Sequence, residues 1–247
     1  MKKINLTRVL YYFVLLSFLI PIIYLIYRIS TVAPGVVGEG MKSRADYVLM
    51  LVQCALGILV IHLPSFLAKK LKFEIPTALY IMYIIFLYCA IFLGEVRSFY
   101  YNVPHWDDIL HFFSSMMTGM FGFMLISIIN EDQHVAIHLS PFFVSLFAFS
   151  FSMMLGGLWE IYEFAFDGIL KLNMQKFMLE DGTQLVGRAA LSDTMKDIIV
   201  DGCGALLASI LGFLSLKQKK GWAYTFITSK QKSQTSPIAA EKDGRAE

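Results

Sequence analysis

The sequence predicts an all-α, polytopic integral membrane protein, and two observations carry this prediction. Of the 247 residues, 57% are hydrophobic and 16% are charged, whereas soluble proteins average about 45–50% apolar and about 25% charged residues. The mean hydropathy is +0.61. Six apolar runs also approach the roughly 20 residues that a helix needs to cross a hydrocarbon core. The predicted spans are residues 9–27, 47–68, 78–96, 109–129, 141–166 and 195–216.

The segments between these spans leave no room for a separate soluble domain. The longest of them, residues 167–194, is too short to bury a core of its own. We therefore expect residues 1–216 to form a single transmembrane helical domain, with its sequence motifs in roughly residues 90–215. The polar composition of residues 217–247 predicts a disordered cytoplasmic tail.

Basic residues predict the orientation of the chain, because they favour the cytoplasmic side of a membrane. When alternate connecting segments are compared, most of the 21 Lys and Arg residues fall on the side that also holds both termini. Both termini are therefore predicted to be cytoplasmic, and residues 97–108 and 167–194 to face outward. The net charge of +2 and the lack of a basic stripe outside the loops and tail argue against a nucleic-acid partner.

Acidic residues converge on the predicted outer face, where the fourth span begins, the fifth ends and the sixth begins. Within each span their spacing of three or four residues places them on one side of a helix. They are Asp107 and Asp108 with His111 on the fourth span, Glu160, Glu163 and Asp167 on the fifth, and Asp193, Asp197 and Asp201 on the sixth.

Helix dipoles explain only part of this acidic group. The dipole alone could account for four acids at or near helix N-termini, where a negative charge is favourable: Asp107, Asp108, Asp193 and, one turn further in, Asp197. Glu160 and Glu163 lie at a C-terminal end, where the dipole disfavours them, and Asp201 lies two turns inside the membrane. Ionisable residues at such depth usually mark a functional site, and close carboxylates must be protonated, paired or neutralised by a cation.

Carboxylates together with one imidazole indicate a site for a divalent ion such as Mg²⁺, Mn²⁺ or Zn²⁺. Asp107 would orient the imidazole, and Asp107 and Glu163 are the predicted catalytic carboxylates, of which one would act as general base. The predicted metal ligands are His111, Glu160, Asp197 and Asp201, and Glu163 would help to hold the ion. The predicted substrate-binding residues are Arg188, for an anionic head group, and Trp106 and Trp159, which otherwise suit an interfacial aromatic belt.

Three blocks, "HWDDILHFFSSMMTGMFG", "GGLWEIYEF" and "GTQLVGRAALSDTMKDIIVDGCGALL", resemble the YjdF-type family of bacterial inner-membrane proteins. More distantly they resemble VanZ-like proteins, which are associated with glycopeptide resistance at the cell envelope. The residues that match the VanZ-like pattern are Asp107, His111, Phe112, Glu160, Gly187, Arg188, Asp197 and Gly204. Glu163 and Asp201 depart from it, standing where the pattern has Gln and Asn. The resemblance implies a multi-pass protein of the bacterial cytoplasmic (inner) membrane.

The leading functional hypothesis is a metal-assisted hydrolase or transferase that acts on a lipid-linked or cell-envelope substrate from the outer leaflet. One alternative is a cation or proton transporter, since membrane carboxylates also serve as ion relays. Another is a non-catalytic assembly partner whose acids pair with basic residues of a second membrane protein. The inner halves of the last three spans hold only Ser and Thr as polar residues, which favours a one-sided site. The oligomeric state is left open.

Cysteine labelling tests the predicted orientation. A cysteine introduced at position 107 or 181 should react in intact cells with a membrane-impermeant reagent, because both connections are expected outside. A cysteine at position 72, in a connection expected to be cytoplasmic, should react only after the membrane is permeabilised. Protection of both outer positions would overturn the orientation.

Overall fold

The computed structural model describes residues 6–33, 42–71, 75–130, 139–179 and 183–228. Within these ranges the regular secondary structure is helical, and a single isolated antiparallel bridge joins Met178 to Gln184. The helices are α1 (Leu6–Thr31), α2 (Arg44–Val60), α3 (Leu63–Leu71), α4 (Thr77–Leu87) and its π-helical continuation (Tyr88–Val96), α5 (Phe99–Asn102), α6 (Trp106–Asn130), α7 (Pro141–Leu170), α8 (Ser192–Lys217) and α9 (Trp222–Thr228).

Six helical segments are long and apolar enough to cross a membrane, and all six predicted spans are confirmed. They are Leu6–Thr31, Arg44–Lys70, Thr77–Val96, Trp106–Ile126, Pro141–Leu170 and Ser192–Lys217. The helices extend beyond the apolar runs because polar residues at their ends continue the same backbone hydrogen bonding. The cytoplasmic placement of the termini stays a prediction, and position 181 lies outside the described residues.

Helix α1 presents most of its surface away from the protein. It buries a narrow stripe that contains Val14, Phe18 and Leu25, and it packs on α2, α4 and the π-helical segment. Large apolar side chains elsewhere on it are exposed, including Ile20 and Ile23. A helix with a thin buried stripe and an otherwise apolar, exposed surface suits contact with lipid.

The chain divides into two compact units, and the first contains Met1–Phe113 and Leu158–Asp197. Its apolar core joins α1, α2, α4 and the π-helical segment. Gly57 on α2 permits their close packing, because a Cβ at this position would lie 3.1 Å from the ring of Phe18 on α1. The core residues are Val14, Phe18, Leu25, Tyr47, Met50, Cys54, Ile61, Ile84, Leu87 and Ile91.

The second unit contains Ser114–Gly157 and Ile198–Glu247, and small residues set its helix spacing. A Cβ on Gly119 of α6 would lie 3.0 Å from the Cβ of Ala208 on α8, and a Cβ on Gly122 would lie 2.9 Å from the Cα of Ala148 on α7. Small residues at such positions let helix backbones approach closely, which is a common way for membrane helices to pack.

Part of the segment expected to be a disordered tail is helical. Helix α9 follows Gly221, whose φ of +84° lies in the left-handed region that glycine tolerates. Trp222 packs edge to face on Phe123, with ring centroids 5.2 Å apart, and Ala223 is buried in the same apolar cluster. These apolar contacts stabilise the helix. They involve a few residues at the start of a segment whose overall composition is polar, so composition alone did not predict the helix. Residues 229–247 of the predicted tail lie outside the described residues.

Gly122 gives a test of the close packing in the second unit. Gly122→Ala should lower the free energy of unfolding by about 1–2 kcal/mol, because its Cβ would meet the backbone of α7, which cannot move aside easily. Gly157→Ala is the matched control, since a Cβ there meets no atom of the described structure within 4 Å. Thermal unfolding in detergent should show a loss for Gly122→Ala only, and equal midpoints for both variants would contradict this packing.

Candidate functional site

Helix ends within the first unit carry the candidate site: the start of α6, the end of α7, the start of α8 and the connection between α7 and α8. Asp107 and His111 lie one turn apart at the start of α6, and Asp197 lies in the second turn of α8. His111 and Asp197 are buried, and Asp107 is partly buried. The convergence predicted from the sequence thus brings an imidazole and two carboxylates from two helices together.

Asp107, His111 and Asp197 each offer one ligand atom, and these three atoms all lie within 4.8 Å of one another. The Nε2 atom of His111 lies 3.7 Å from Oδ1 of Asp107 and 3.9 Å from Oδ2 of Asp197. These separations exceed ordinary hydrogen bonds. Two donors bound about 2.1 Å from one ion lie about 3–3.5 Å apart, so small side-chain movements would allow all three to hold the same ion.

The geometry changes the role expected for Asp107. A carboxylate that orients a ligating histidine hydrogen-bonds the ring nitrogen that does not bind the metal. Asp107 and Asp197 instead approach the same nitrogen of His111, Nε2. This arrangement favours Asp107 as a third ligand rather than as a partner that orients the imidazole.

Lys176, which sequence reasoning did not select, enters this acidic group from the α7–α8 connection. Its Nζ forms a short ion pair with Oδ2 of Asp107 and lies 3.4 Å from Oδ1 of Asp193. Burial disfavours the ammonium charge, but the nearby carboxylates, Asp107 first and then Asp193, outweigh burial and raise the pKa of Lys176 above its ordinary value. Lys176 therefore remains a cation at physiological pH.

Tyr100 forms an aromatic wall beside Lys176, whose Nζ lies 5.9 Å from the ring centroid. Gly94 makes room for this ring, because a Cβ at position 94 would lie 2.8 Å from Cζ of Tyr100. Burial, followed by the negative charges of Asp107 and Glu95, raises the pKa of the Tyr100 phenol well above its ordinary value. The phenol therefore stays neutral.

The α7–α8 connection is held by several hydrogen bonds around Lys176. Asp167, one of the acids predicted to face the site, accepts backbone N–H groups from Met174 (2.7 Å) and Gln175 (3.0 Å). The side chain of Asn173 both donates to and accepts from the backbone of Met178. Asp167 thus has a structural role in shaping the connection, which sequence spacing alone did not distinguish from ligation.

The two glutamates on α7 are also buried. Glu163 accepts a 2.9 Å hydrogen bond from Nε1 of Trp159, whose ring stacks on Tyr162. Glu163 is close enough to Glu160, Asp107 and other site charges for electrostatic interaction. Within the described part of the chain, however, neither glutamate belongs to the compact ligand group. Ligation by Glu160 and catalysis by Glu163 stay predictions.

Trp106, Asp108 and Arg188 are not part of the compact ligand group formed by Asp107, His111 and Asp197. Trp106 packs edge to face on Phe99, and its indole Nε1 is buried without a hydrogen-bond partner among the described residues. Asp108 pairs with Lys196 (2.6 Å) and with the exposed His105 (2.8 Å). Arg188 is exposed and forms no ion pair in the described ranges, so its predicted role in binding a head group stays a prediction.

Asp201 lies in the second unit and is 2% exposed. Its carboxylate packs directly against Gly156, where any Cβ would collide with it. Asp201 is therefore covered by protein and does not face lipid. The compact ligand group found in the described residues does not include Asp201, and its role as a metal ligand stays a prediction.

Comparison with known proteins places the chain in a family. The sequence pattern of a family described as "Predicted membrane protein (DUF2238)" matches residues 22–218. The chain belongs to this family. The match runs from within α1 to just beyond α8, so it contains every residue of the site in this DUF2238 protein.

One relative is a protein of Thermotoga maritima described as "Uncharacterized protein". It is 32% identical over 137 residues, which are 53% of this chain and 60% of the relative. The chain therefore matches less than two thirds of the length of that relative. No solved structure gives a significant match.

Asp167 gives a test of how the α7–α8 connection is held. Asp167→Ala should lower the free energy of unfolding by about 2–3 kcal/mol, because it leaves two backbone N–H groups without their charged acceptor. Asp108→Ala is the control, because its partners His105 and Lys196 are exposed, and should cost less than about 1 kcal/mol. Thermal unfolding in detergent compares the two, and a larger loss for Asp108→Ala would contradict this assignment.

Proposed function

We propose that this DUF2238 protein binds a divalent metal ion at Asp107, His111 and Asp197, and that the ion assists hydrolysis or group transfer on a lipid-linked or cell-envelope substrate. The observation that carries the proposal is the approach of three ligand atoms, from two helices, to within 4.8 Å of one another. The buried positions of His111 and Asp197 add support, because buried charges in proteins are usually paired or bound to metal.

The donor set suits a metal that works in catalysis. Two carboxylates and one imidazole are ligands for Zn²⁺, Mn²⁺ or Mg²⁺. Catalytic metal sites commonly use three protein ligands and leave a position for water or substrate. Lys176 forms ion pairs with Asp107 and Asp193, but it provides only one positive charge among several carboxylates. A divalent ion would offset more of this negative charge.

The surrounding side chains have roles that fit this chemistry. When bound, the ion would supply a Lewis acid and an activated water. Glu163, positioned by its hydrogen bond from Trp159, is the proposed general base. Trp106, whose buried Nε1 has no hydrogen-bond partner among the described residues, is the proposed donor to an oxygen of the substrate. Arg188 remains the proposed contact for an anionic head group that extends beyond the helix ends.

A lipid-linked substrate fits the position of the site. The same elements of the first unit that carry the polar side chains also expose large apolar ones, including Ile109, Ile161 and Met195. A substrate with a polar head and an apolar tail would contact both kinds of surface. We further propose that the site faces outward across a bacterial cytoplasmic membrane, in line with the basic-residue distribution and the resemblance to YjdF-type and VanZ-like proteins.

Ion transport is the alternative function, and it would need polar groups free to contact an ion in the second unit. The hydroxyl groups there give it less support than the first unit gives to metal binding. There, Ser152 donates to the backbone carbonyl of Ser115 (2.7 Å), and its hydroxyl pairs with that of Thr118 (2.8 Å). These hydroxyl groups join α6 to α7 and are engaged with each other. Ion flux in proteoliposomes would favour transport, whereas binding of the acids to a second membrane protein, without metal, would favour an assembly role.

Metal content gives the direct test of the proposal. Purified protein loaded with Zn²⁺ or Mn²⁺ should hold about one ion per chain, and His111→Ala or Asp197→Asn should weaken binding at least about tenfold, because each removes one of three ligands. Asp108→Asn is the matched control and should bind as the wild type does, since Asp108 pairs at the rim with Lys196.

Two results would overturn the metal proposal. In the first, wild type binds no divalent ion, and added Mg²⁺, Mn²⁺ or Zn²⁺ leaves its thermal unfolding midpoint unchanged. In the second, His111→Ala and Asp197→Asn both bind the ion as tightly as wild type does.

A further inference from the structure

Lys176 contacts the same carboxylate that the proposed metal would use. Oδ1 of Asp107 faces Nε2 of His111 at 3.7 Å, and Oδ2 of Asp107 forms the short ion pair with Lys176. One carboxylate therefore faces the proposed metal position with one oxygen and an internal cation with the other. The Lys176 side chain is 29% exposed, so the protein covers most of it.

The local backbone delivers this lysine into the acidic group. Lys176 has a φ of +46°, in the left-handed region that residues with a Cβ adopt at a cost. The flanking hydrogen bonds from Asn173 to Met178, from the Gln175 side chain to Thr194, and from the backbone to Asp167 hold this conformation. These hydrogen bonds fix the loop conformation that places Lys176 among the carboxylates.

An ammonium group so close to a metal ligand must affect binding of the ion. It repels a divalent cation, and it competes for the electron density of the carboxylate that both would share. Lys196 provides the contrast within the same unit. It is 51% exposed and pairs with Asp108, which is not part of the three-residue group, so solvent screens its charge.

We infer that Lys176 is an internal counter-ion that competes with the divalent metal for Asp107 and thereby sets the affinity of the site. The inference rests on the proposed metal site and goes beyond it, because it assigns the control of affinity to a residue that is not a ligand. Metal entry would loosen the Lys176–Asp107 ion pair and leave the ammonium held by Asp193.

Mn²⁺ binding to the full-length protein in detergent provides the test. Lys176→Gln removes the charge, and we expect it to tighten Mn²⁺ binding about tenfold or more relative to wild type. Lys176→Arg, which keeps the charge, should not tighten it. Lys196→Gln is the matched control and should change the affinity less than about twofold, because its charge is exposed.

A second measurement uses the wild-type protein alone and so does not depend on the folding of a variant. An amine-reactive reagent, read out by mass spectrometry, should modify Lys176 faster when Mn²⁺ is present, because its ion pair with Asp107 is then weakened. The rate at Lys196 should not change.

The outcomes separate the two proposals. Tighter binding by Lys176→Gln with faster labelling of Lys176 supports the inference. If wild type binds Mn²⁺ but Lys176→Gln binds it equally or more weakly, or if Mn²⁺ leaves the labelling of Lys176 unchanged, the counter-ion role is overturned while the metal site stands. If wild type and all variants fail to bind Mn²⁺, the metal site and this inference fall together.

Discussion

Carboxylates within membrane-spanning helices must be neutralised, and the arrangement of the α6, α7 and α8 ends follows from this constraint. Moving an ion out of water costs several kcal/mol even after the protein relaxes. In the first unit the acids are accordingly gathered at helix ends around a lysine and a histidine rather than spread over the lipid-facing surface. The same concentration of negative charge gives the site its attraction for a cation.

The balance of charge also explains why a connecting segment contributes to the site. The side chains of Asp167 and Asn173 form hydrogen bonds with the backbone of the α7–α8 connection, and these hydrogen bonds fix the position of Lys176. One ammonium group offsets only part of the surrounding charge. Lys176 and the proposed divalent ion would therefore act on the same carboxylate, that of Asp107.

Local sequence patterns predicted the spans and the helical pairing of Asp107 with His111, because apolar run length and a four-residue spacing depend on neighbouring residues alone. The approach of Asp197 followed from the predicted outer face, at which the fourth span begins, the fifth ends and the sixth begins. Lys176 could not be predicted in this way, since its position depends on its own left-handed backbone conformation and on the hydrogen bonds of its neighbour Gln175. The backbone N–H of Gln175 donates to Asp167, and its side-chain amide donates to Thr194. The available signal was the presence of basic residues in the connection between two acid-bearing helices, of which Lys176 is one.

The identity of the metal-binding nitrogen tests the central claim most directly. Electron spin-echo spectroscopy of the Mn²⁺-loaded protein should show coupling to one imidazole nitrogen, and this coupling should disappear in His111→Ala. It should persist in His105→Ala, because His105 is exposed and pairs with Asp108 instead. Bound Mn²⁺ with no nitrogen coupling, or a coupling that survives the loss of His111, would contradict a metal centre formed by Asp107, His111 and Asp197.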